Sequence, residues 1–306
     1  MRKRWWVFLM FALAWMASGQ PDDLKEFDHG GCKRRYRLHV PRTLSPERAL
    51  VLALHGGGGN ARQMERHSGF SRLADEFGFV VVYPEGIGHS WNDGRGDDIS
   101  MAHRENIDDL GFLTRLAEKL LAEHGLDAHR VYVTGISNGG FMSQRLGAEA
   151  SHCFSAIAPV VAGLPAAWCD RVQPSHPVSV MILQGTADPL VPYGGGHVQV
   201  GRHKRGQMLS TDETVQRWVR WNACQTEPEV ESLPDLDPND GCRAERRRYS
   251  GGREGSAVEL WHIEGGGHTW PGASQYLPRR IIGPVCRDFQ ASREIWRFFQ
   301  SHPRSR

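Results

Sequence analysis

The sequence lacks the motifs of the common metal and nucleotide sites. Its 6 cysteines include no C-x-x-C pair, its 15 histidines include no H-E-x-x-H, and no G-x-x-x-x-G-K-[ST] loop occurs among its 35 glycines. It also has no internal repeat, no low-complexity tract and no linker able to separate two domains. These absences disfavour a zinc site and phosphate-loop chemistry, and they predict a single domain.

No apolar run reaches the roughly 20 residues that a membrane-spanning helix needs. The run at 5–17 is about 13 residues long, follows Arg2-Lys3-Arg4, and leads into Ala17-Ser18-Gly19. A basic start, a short apolar core and small residues are typical of a secretory signal peptide. We therefore predict a signal peptide over 1–19 and a catalytic domain over 20–306. The protein would be secreted, either extracellular or periplasmic, and a permanent anchor is the alternative.

The charge balance also argues against some partners. Removing Arg2, Lys3 and Arg4 from the 37 basic residues leaves 34, against 35 acidic ones. A mature chain so close to neutral has no general attraction to nucleic acid or to anionic lipid. We expect a small-molecule or polymer-linked substrate as its partner, with no stable membrane insertion once the signal is removed.

Export would place the cysteines in an oxidising compartment, where an even number favours disulfides. Six cysteines allow 15 pairings, and the sequence does not choose among them. Cys224–Cys242 is the first choice, because it would close an acidic, proline-containing excursion at 227–240. Cys153–Cys169 is a weaker second. The remaining two are Cys32 and Cys286.

Strand-like and helix-like patterns alternate along the chain. Short apolar, β-branched runs predict strands at 36–40, 49–54, 79–83, 131–134, 156–161, 178–183 and 258–263. Apolar residues at helical spacing predict helices at 107–121, 141–150, 214–221 and 292–299. This alternation predicts an α/β fold, with helices on both faces of a mostly parallel sheet. The polar stretches at 193–207 and about 225–256 are expected to be long surface loops or a small excursion.

Ser137 lies in the sequence Gly135-Ile136-Ser137-Asn138-Gly139, which matches G-x-S-x-G. The motif directly follows a predicted strand and precedes a predicted helix. A tight strand-to-helix turn of this kind holds a serine in strained backbone geometry, with its hydroxyl at the carboxyl edge of the sheet. Ser137 is therefore the predicted nucleophile, and an ordinary loop serine is the alternative.

Four consecutive glycines, 56–59, follow the predicted strand at 49–54. Acyl transfer needs main-chain N–H groups aimed at the developing oxyanion, and residues without side chains let the backbone approach closely. The expected donors are the amide of Asn138 and that of Gly57, with Gly58 as second choice. A flexible turn is the alternative. His55, which opens the loop, is predicted to be a packing residue.

His268 is the one histidine that follows a late strand within a glycine-rich turn, 265–267. Glycine allows the positive φ angles that such a turn uses. Asp188 follows the predicted strand at 178–183 directly, whereas Asp170 and Asp212, the rival acids, do not. The predicted triad is therefore Ser137, Asp188 and His268. This Ser…Asp…His order along the chain is that of α/β-hydrolases.

Six stretches resemble the secreted polyhydroxybutyrate depolymerase / feruloyl esterase family of α/β-hydrolases. The likeness covers about residues 30–300 in the right order: LHG at 54–56, YPEG at 83–86 with WN at 91–92, IDDLGF at 107–112, RVYVTGISNGG at 130–140, GTADP at 185–189 with VPY at 191–193, and GGGHTWPG at 265–272. The resemblance implies hydrolysis of carboxylic esters by Ser137, His268 and Asp188, with oxyanion donors near Gly57 and Asn138 and no cofactor.

Two departures from the family disfavour the tannase-like feruloyl esterase branch and the attack on crystalline polyester. Ile136 precedes the serine, where tannase-like feruloyl esterases have cysteine, and the chain has no extra polymer-adsorbing domain. Short hydroxyalkanoate esters, plant cell-wall feruloyl esters and acetylated sugars all stay open as substrates. Trp91, Tyr193 and Trp270 are the candidate substrate contacts. A serine peptidase or acyltransferase on the same scaffold, or a binding module without activity, are the alternative functions.

Overall fold

The fold was analysed in a computed structural model, which describes residues 24–96 and 99–305. The predicted signal peptide, 1–19, lies outside the described residues. The strands are β1 (Lys25–His29), β2 (Cys32–His39), β3 (Leu50–Leu54), β4 (Val80–Pro84), β5 (Val131–Ile136), β6 (Ala156–Val160), β7 (Ser179–Gly185), β8 (Gly196–Val200), β9 (His203–Met208), β10 (Glu229–Ser232), β11 (Arg243–Tyr249) and β12 (Val258–Glu264). The helices are α1 (Ala61–Ser68), α2 (Phe70–Phe77), α3 (Met101–Arg104), α4 (Asp109–His124), α5 (Asn138–Glu149), α6 (Thr211–Asn222), α7 (Arg279–Ile282) and α8 (Ala291–Ser301).

Ten strands form one sheet in the order β1-β2-β4-β3-β5-β6-β7-β12-β11-β10. The six central strands, from β4 to β12, are parallel, and the two at each edge are antiparallel. Strands β8 and β9 pair separately as a hairpin. The predicted α/β fold with a mostly parallel sheet is therefore confirmed. Parallel strands bring their carboxyl ends to the same edge, which is where ligands bind in such sheets.

Alternating side chains of the central strands face opposite cores. In β3, Leu50 and Leu52 belong to a core that also contains residues of α4, α5 and α6, whereas Val51 and Ala53 belong to a core that contains residues of α1, α2 and α8. Every residue of β3 and β4 is buried. Because both faces are covered, these strands are continuously apolar rather than alternating with polar residues, as expected of a buried parallel sheet.

The seven predicted strands and four predicted helices are all present, with ends that differ by a few residues. The prediction of long loops at 193–207 and 225–256 is wrong in part. The first contains the β8–β9 hairpin, and the second contains β10 and β11, which extend the main sheet. The strands β10 and β11 were not predicted because their sequences are charged rather than apolar. The sequence of β11 is RAERRRY, and its Arg246 forms an ion pair with Glu231 of the neighbouring strand β10. Strands at an edge can remain polar because one face stays in water.

The first-choice cysteine pairing, Cys224–Cys242, is also wrong. No disulfide links any two of the six cysteines in this structure, and all six lie within the described ranges. Cys224 belongs to the core on the α4–α6 face of the sheet, and Cys242 belongs to the opposite core. The sheet therefore separates them. Cys153 and Cys169 are not bonded to each other either, and the Cys169 thiol donates to the carbonyl of Ala166.

Across the described ranges, 24–96 and 99–305, we find no helix that combines the length and the apolar character required to cross a bilayer.

The close packing around Gly135 gives a first prediction. A Cβ atom at this position would lie 2.5 Å from the Gly139 carbonyl oxygen and 2.9 Å from Leu54 Cβ. Gly135→Ala should therefore lower the free energy of unfolding by about 1–3 kcal/mol, the usual cost of overpacking. Denaturant titration measures it. Gly194→Ala is the matched control, because nothing lies within 4 Å of a Cβ there. Equal effects in the two variants would contradict this account of the turn.

Candidate active site

Ser137 stands at the turn between β5 and α5, in strained backbone geometry. Its φ is 55° and its ψ is −120°, a region that non-glycine residues rarely occupy. Its N–H donates to the carbonyl of Val160 at 2.9 Å, which ties the turn to the neighbouring strand β6. The predicted strained serine at the carboxyl edge of the sheet is thus observed.

Glycines create the room that this turn needs. A Cβ on Gly139 would lie 2.4 Å from the carbonyl oxygen of Leu54, and one on Gly140 would lie 2.8 Å from Ala162 Cβ. The first turn of α5 therefore rests directly on the end of β3. Only residues without side chains allow the two backbones to approach this closely.

The glycine loop after β3 lies against the same turn. A Cβ on Gly56 would be 3.6 Å from Ser137 Cβ, and one on Gly57 would be 3.7 Å from Asn138 Cβ. The amide of Gly58 donates to the carbonyl of His89 at 2.7 Å. Within residues 24–96 and 99–305, the amides of Gly57 and Asn138 donate to no group. Two neighbouring amides that remain available are what an oxyanion site requires.

The side chain of Asn138 is fixed by three hydrogen bonds. Its Oδ1 accepts from the Trp91 amide at 2.7 Å, and its Nδ2 donates to the Trp91 carbonyl at 3.0 Å and to Asp93 Oδ2 at 2.6 Å. These bonds orient the residue whose backbone amide is the expected oxyanion donor. The loop that begins at Trp91 therefore supports the nucleophile turn directly.

Asp93 is fully buried and joins this support to two basic side chains. It accepts hydrogen bonds from the Arg95 guanidinium at 2.7–3.0 Å and from His103 Nε2 at 3.0 Å. Burial acts to raise the pKa of Asp93, but the Arg95 charge and the His103 bond outweigh it and hold this pKa well below its usual range. Asp93 is therefore a permanent carboxylate beneath the site. A buried carboxylate is tolerated when it is paired and hydrogen-bonded in this way.

Asp188 and His268 meet at the carboxyl edge of the sheet. Asp188 Oδ2 lies 2.8 Å from His268 Nδ1, and both side chains are almost completely buried. Asp188 Oδ1 accepts from the amides of Leu190 and Val191, each at 2.8 Å. The carboxylate is thus held by its own loop while its second oxygen orients the imidazole. This arrangement fixes the tautomer that leaves Nε2 as a proton acceptor.

Glycines and a tyrosine shape the turn that carries His268. Gly265 has φ +71°, as the sequence predicted, whereas Gly267 is required for space, because a Cβ there would lie 2.2 Å from the Ile282 carbonyl oxygen. The His268 amide donates to that same carbonyl at 2.5 Å, and Tyr276 Oη donates to the His268 carbonyl at 3.0 Å. Backbone contacts on both sides therefore fix the residue.

The rival acids are occupied elsewhere. Asp170 pairs with Arg217 at 2.8 Å, and Asp212 accepts from Tyr193 Oη at 3.1 Å. Ser137 follows β5 and His268 follows β12, so both stand at the edge where Asp188 lies. The Ser137 hydroxyl forms no hydrogen bond with any residue that the structure describes. The link between Ser137 and His268 accordingly belongs to the proposal below.

The three aromatic residues predicted as substrate contacts differ in their exposure. Trp91 is 0% exposed and Trp270 is 1% exposed. Their indole N–H groups donate to the His55 carbonyl at 2.9 Å and to Ser292 Oγ at 3.0 Å. The two tryptophans therefore lie within the core and are not on the surface of this structure. Tyr193 is partly exposed, and its hydroxyl also bonds His262 Nδ1 at 3.0 Å.

Comparison with known proteins identifies the family. The sequence profile described as "Esterase PHB depolymerase" matches residues 34–168. "Putative esterase NocK" of Nocardia uniformis subsp. tsuyamanensis is 31% identical over 271 residues, which cover 86% of this chain and 78% of NocK. The chain belongs to the esterase PHB depolymerase family. This family places it among esterases, which hydrolyse carboxylic esters.

Two further relatives of this chain have names that specify a substrate. Feruloyl esterase B of Piromyces equi is 27% identical over 244 residues, 77% of this chain and 42% of that protein. Poly(3-hydroxyalkanoate) depolymerase C of Paucimonas lemoignei is 24% identical over 265 residues, 76% of this chain and 58% of that protein. The chain therefore spans about half the length of these two enzymes.

A solved structure agrees with the fold. The acetyl xylan esterase from Aspergillus awamori superposes with a TM-score of 0.58 at 14% identity, over 91% of this chain and 99% of that one. An identity this low speaks for the architecture alone.

Sequence reasoning missed the supporting residues Asp93, Arg95, His103 and Tyr276. The only signal for the first of these was its position directly after Trp91-Asn92. Nothing in the sequence pointed to Tyr276, because it reaches the His268 carbonyl across a folded loop. Supporting residues of this kind depend on tertiary contacts that no local spacing encodes.

His55 is a buried neutral residue, as predicted for a packing position. Its Nε2 accepts from the Gly86 amide at 3.0 Å, so Nδ1 carries the proton and donates to the Gly56 carbonyl at 2.8 Å. The ring packs on Trp91 with 4.9 Å between ring centroids. Burial lowers the pKa of His55 to about 4, because a charged imidazole would be poorly solvated and would direct a proton at the Gly86 amide.

The lowered pKa of His55 predicts how stability depends on pH. Between pH 6.5 and 4 the unfolded chain binds a proton at this position and the folded chain does not, so the free energy of unfolding should fall as the pH drops. The loss should reach about 3 kcal/mol for this residue and level off below pH 4. Denaturant midpoints across this range, compared with His55→Gln, measure it. The exposed His176→Gln is the control. An unchanged slope in His55→Gln would contradict the assignment.

Proposed function

We propose that this chain hydrolyses carboxylic esters through an acyl-enzyme on Ser137, with His268 as general base and Asp188 as the orienting acid. The observation that carries the proposal is the 2.8 Å hydrogen bond between Asp188 and His268 Nδ1, at the same sheet edge as the strained Ser137 turn. A buried carboxylate that orients an imidazole opposite a strained serine is the arrangement that serine hydrolases use. Membership of an esterase family supports the same reaction.

The steps follow from the roles of these groups. His268 Nε2 takes the proton of Ser137 as Oγ attacks the ester carbonyl, and the carboxylate of Asp188 stabilises the imidazolium. The amides of Gly57 and Asn138 receive the oxyanion of the tetrahedral intermediate, and each such donor contributes about 10²–10³ in rate. The alcohol leaves with the proton from His268. A water then attacks the acyl-enzyme by the same route and releases the acid.

The proposed substrates are feruloyl or acetyl esters of plant cell walls, or short hydroxyalkanoate esters. The names of the feruloyl esterase and polyhydroxyalkanoate depolymerase relatives support the feruloyl and hydroxyalkanoate esters. Acetylxylan esterase A of Emericella nidulans, 26% identical over 48% of this chain, supports the acetyl esters. We further propose that residues 1–19 direct export, because their basic start and short apolar run are those of a signal peptide. Secretion would bring the enzyme to polymer-linked esters that do not enter cells.

Replacing the nucleophile tests the mechanism. Ser137→Ala should lower kcat for an aryl acetate by at least about 10³-fold, because the acyl-enzyme can no longer form. Circular dichroism should stay unchanged, since alanine fits the turn. Ser143→Ala is the matched control, because this serine lies on the helix that follows Ser137 and its hydroxyl donates to the Gly139 carbonyl. Retained activity in Ser137→Ala would overturn the assignment of the nucleophile.

A substrate panel tests the proposed reaction class. Purified residues 20–306 should hydrolyse at least one of methyl ferulate, an aryl acetate and a hydroxybutyrate oligomer, and should leave peptide anilides intact. Esters are favoured because an alkoxide leaves without the full protonation that an amine requires. Relative kcat/KM values across the panel give the preferred acyl group. Faster turnover of the anilides would show a peptidase instead.

A further inference from the structure

Two cysteines lie side by side in the core beneath the His268 turn. The sulfur atoms of Cys242 and Cys286 and a carboxylate oxygen of Asp240 all lie within 4.8 Å of one another. Each of the two thiols is 1% exposed. Cys242 directly precedes β11, and Cys286 lies in the segment between α7 and α8, so the pair joins parts of the chain far apart in sequence.

Asp240 holds the two cysteine-bearing segments together. Its Oδ1 accepts from the Cys242 amide and its Oδ2 accepts from the Arg287 amide, both at 2.7 Å. Arg279 adds a hydrogen bond to the Asp240 carbonyl. The two oxygens of one carboxylate thus bind the backbone next to each cysteine. These hydrogen bonds hold the two sulfur atoms close together.

The segment that carries Cys286 also supports His268. The carbonyl of Ile282 accepts from the His268 amide at 2.5 Å, that of Pro284 accepts from Gly267 at 2.9 Å, and that of Cys286 accepts from Gly272 at 2.8 Å. Three successive backbone bonds therefore connect the turn of the proposed general base to 282–286. A constraint on Cys286 would be transmitted to this turn.

We propose that Cys242 and Cys286 form a disulfide that anchors the support of the His268 turn to β11. The oxidant is a small or protein disulfide of an oxidising compartment. One cysteine thiolate attacks it to give a mixed disulfide, and the second thiolate displaces the remaining sulfur. Two thiols of the chain become one disulfide, and the oxidant leaves as two thiols that take the protons. The S–S bond of about 2.0 Å requires only a short approach of the two sulfurs.

Burial makes this a structural bond rather than a surface switch. The hydrogen bond with Cys242 and burial together raise the pKa of the Cys286 thiol, so the folded protein presents little thiolate. Oxidation therefore belongs to folding, when both thiols are accessible. A zinc site fits less well, because among the described residues three ligand groups meet here, and both oxygens of Asp240 already accept amide hydrogens. Structural zinc takes four ligands.

Peptide mapping tests the bond directly. The chain is exported to an oxidising compartment, purified without reductant, alkylated under denaturing conditions and digested with trypsin. We expect 221–243 linked to 281–287. A second protease that cleaves before aspartate separates Cys224 from Cys242, so that 240–243 remains linked to 281–287. Alkylation of both cysteines, linkage through Cys224, or one bound zinc per chain with free thiols would each overturn the proposal.

Thermal unfolding tests what the bond does. Reduction should lower the Tm by about 5 °C, the scale expected for opening a disulfide loop of this size. The double variant Cys242→Ser, Cys286→Ser should have the lower Tm and no response to reductant, whereas Cys32→Ser, at an exposed cysteine, should respond like the wild type. A reductant response that persists in the double variant would contradict the assignment. Loss of kcat in the double variant is a further expectation that rests on the proposed function; mapping and melting do not.

Discussion

The contact between the end of β3 and the start of α5 is the constraint on which the site depends. The two backbones approach so closely that a Cβ on Gly139 would come within 2.4–2.5 Å of the carbonyl oxygens of Leu54 and His55. This approach leaves Ser137 in the sharp turn between β5 and α5, at φ 55° and ψ −120°. Such a conformation costs about 1–3 kcal/mol and persists only when its surroundings impose it. At Ser137 the surrounding atoms belong to the backbone of a buried sheet, which cannot easily shift.

A second layer of the structure holds the neighbouring loop by buried charge. Asp109 pairs with Arg34 at 2.5 Å and accepts a hydrogen bond from the Asn92 amide at 2.7 Å. Asp93, the residue after Asn92, accepts a hydrogen bond from the Asn138 side chain. The two carboxylates differ in their environment. Burial outweighs the Arg34 and Arg145 charges and the Asn92 amide, and it raises the pKa of Asp109. Arg95 and His103 instead lower the pKa of Asp93, despite its burial. One loop is thereby anchored at successive residues, and the Asn138 turn rests on a fixed surface.

The parts of the site that the sequence predicted are those encoded by local pattern. Glycine spacing around Ser137 and His268 predicted two tight turns, and apolar runs predicted the strands that precede them; both are observed. The hydrogen bond between Asp188 and His268 agrees with the rule that parallel strands end at one edge. The two turns and the strands before them follow from residue types that lie close together in the sequence.

The parts that were missed depend on contacts across the fold. Trp91 and Trp270 are buried because distant segments cover them, which no spacing near the glycine turns reveals. The choice between cysteine partners failed for the same reason, since sequence separation does not tell on which face of a sheet a residue lies. The charged strands β10 and β11 were not predicted because they form by pairing at the edge of the sheet, and their sequences lack an apolar pattern.

The position of His268 relative to Asp188 is set by the register of β7 and β12. The two strands pair in parallel up to Gly185 and Ile263, and the pairing continues beyond them through the amide of Thr186, which donates to the Ile263 carbonyl at 2.9 Å. A Cβ on Gly185 would lie 2.2 Å from the Gly266 carbonyl oxygen, so the two turns interlock at this point. A slip of one residue would move His268 by about 3.3 Å, which is longer than the hydrogen bond it makes. The acid and the base are thus aligned by strand pairing before either side chain contributes.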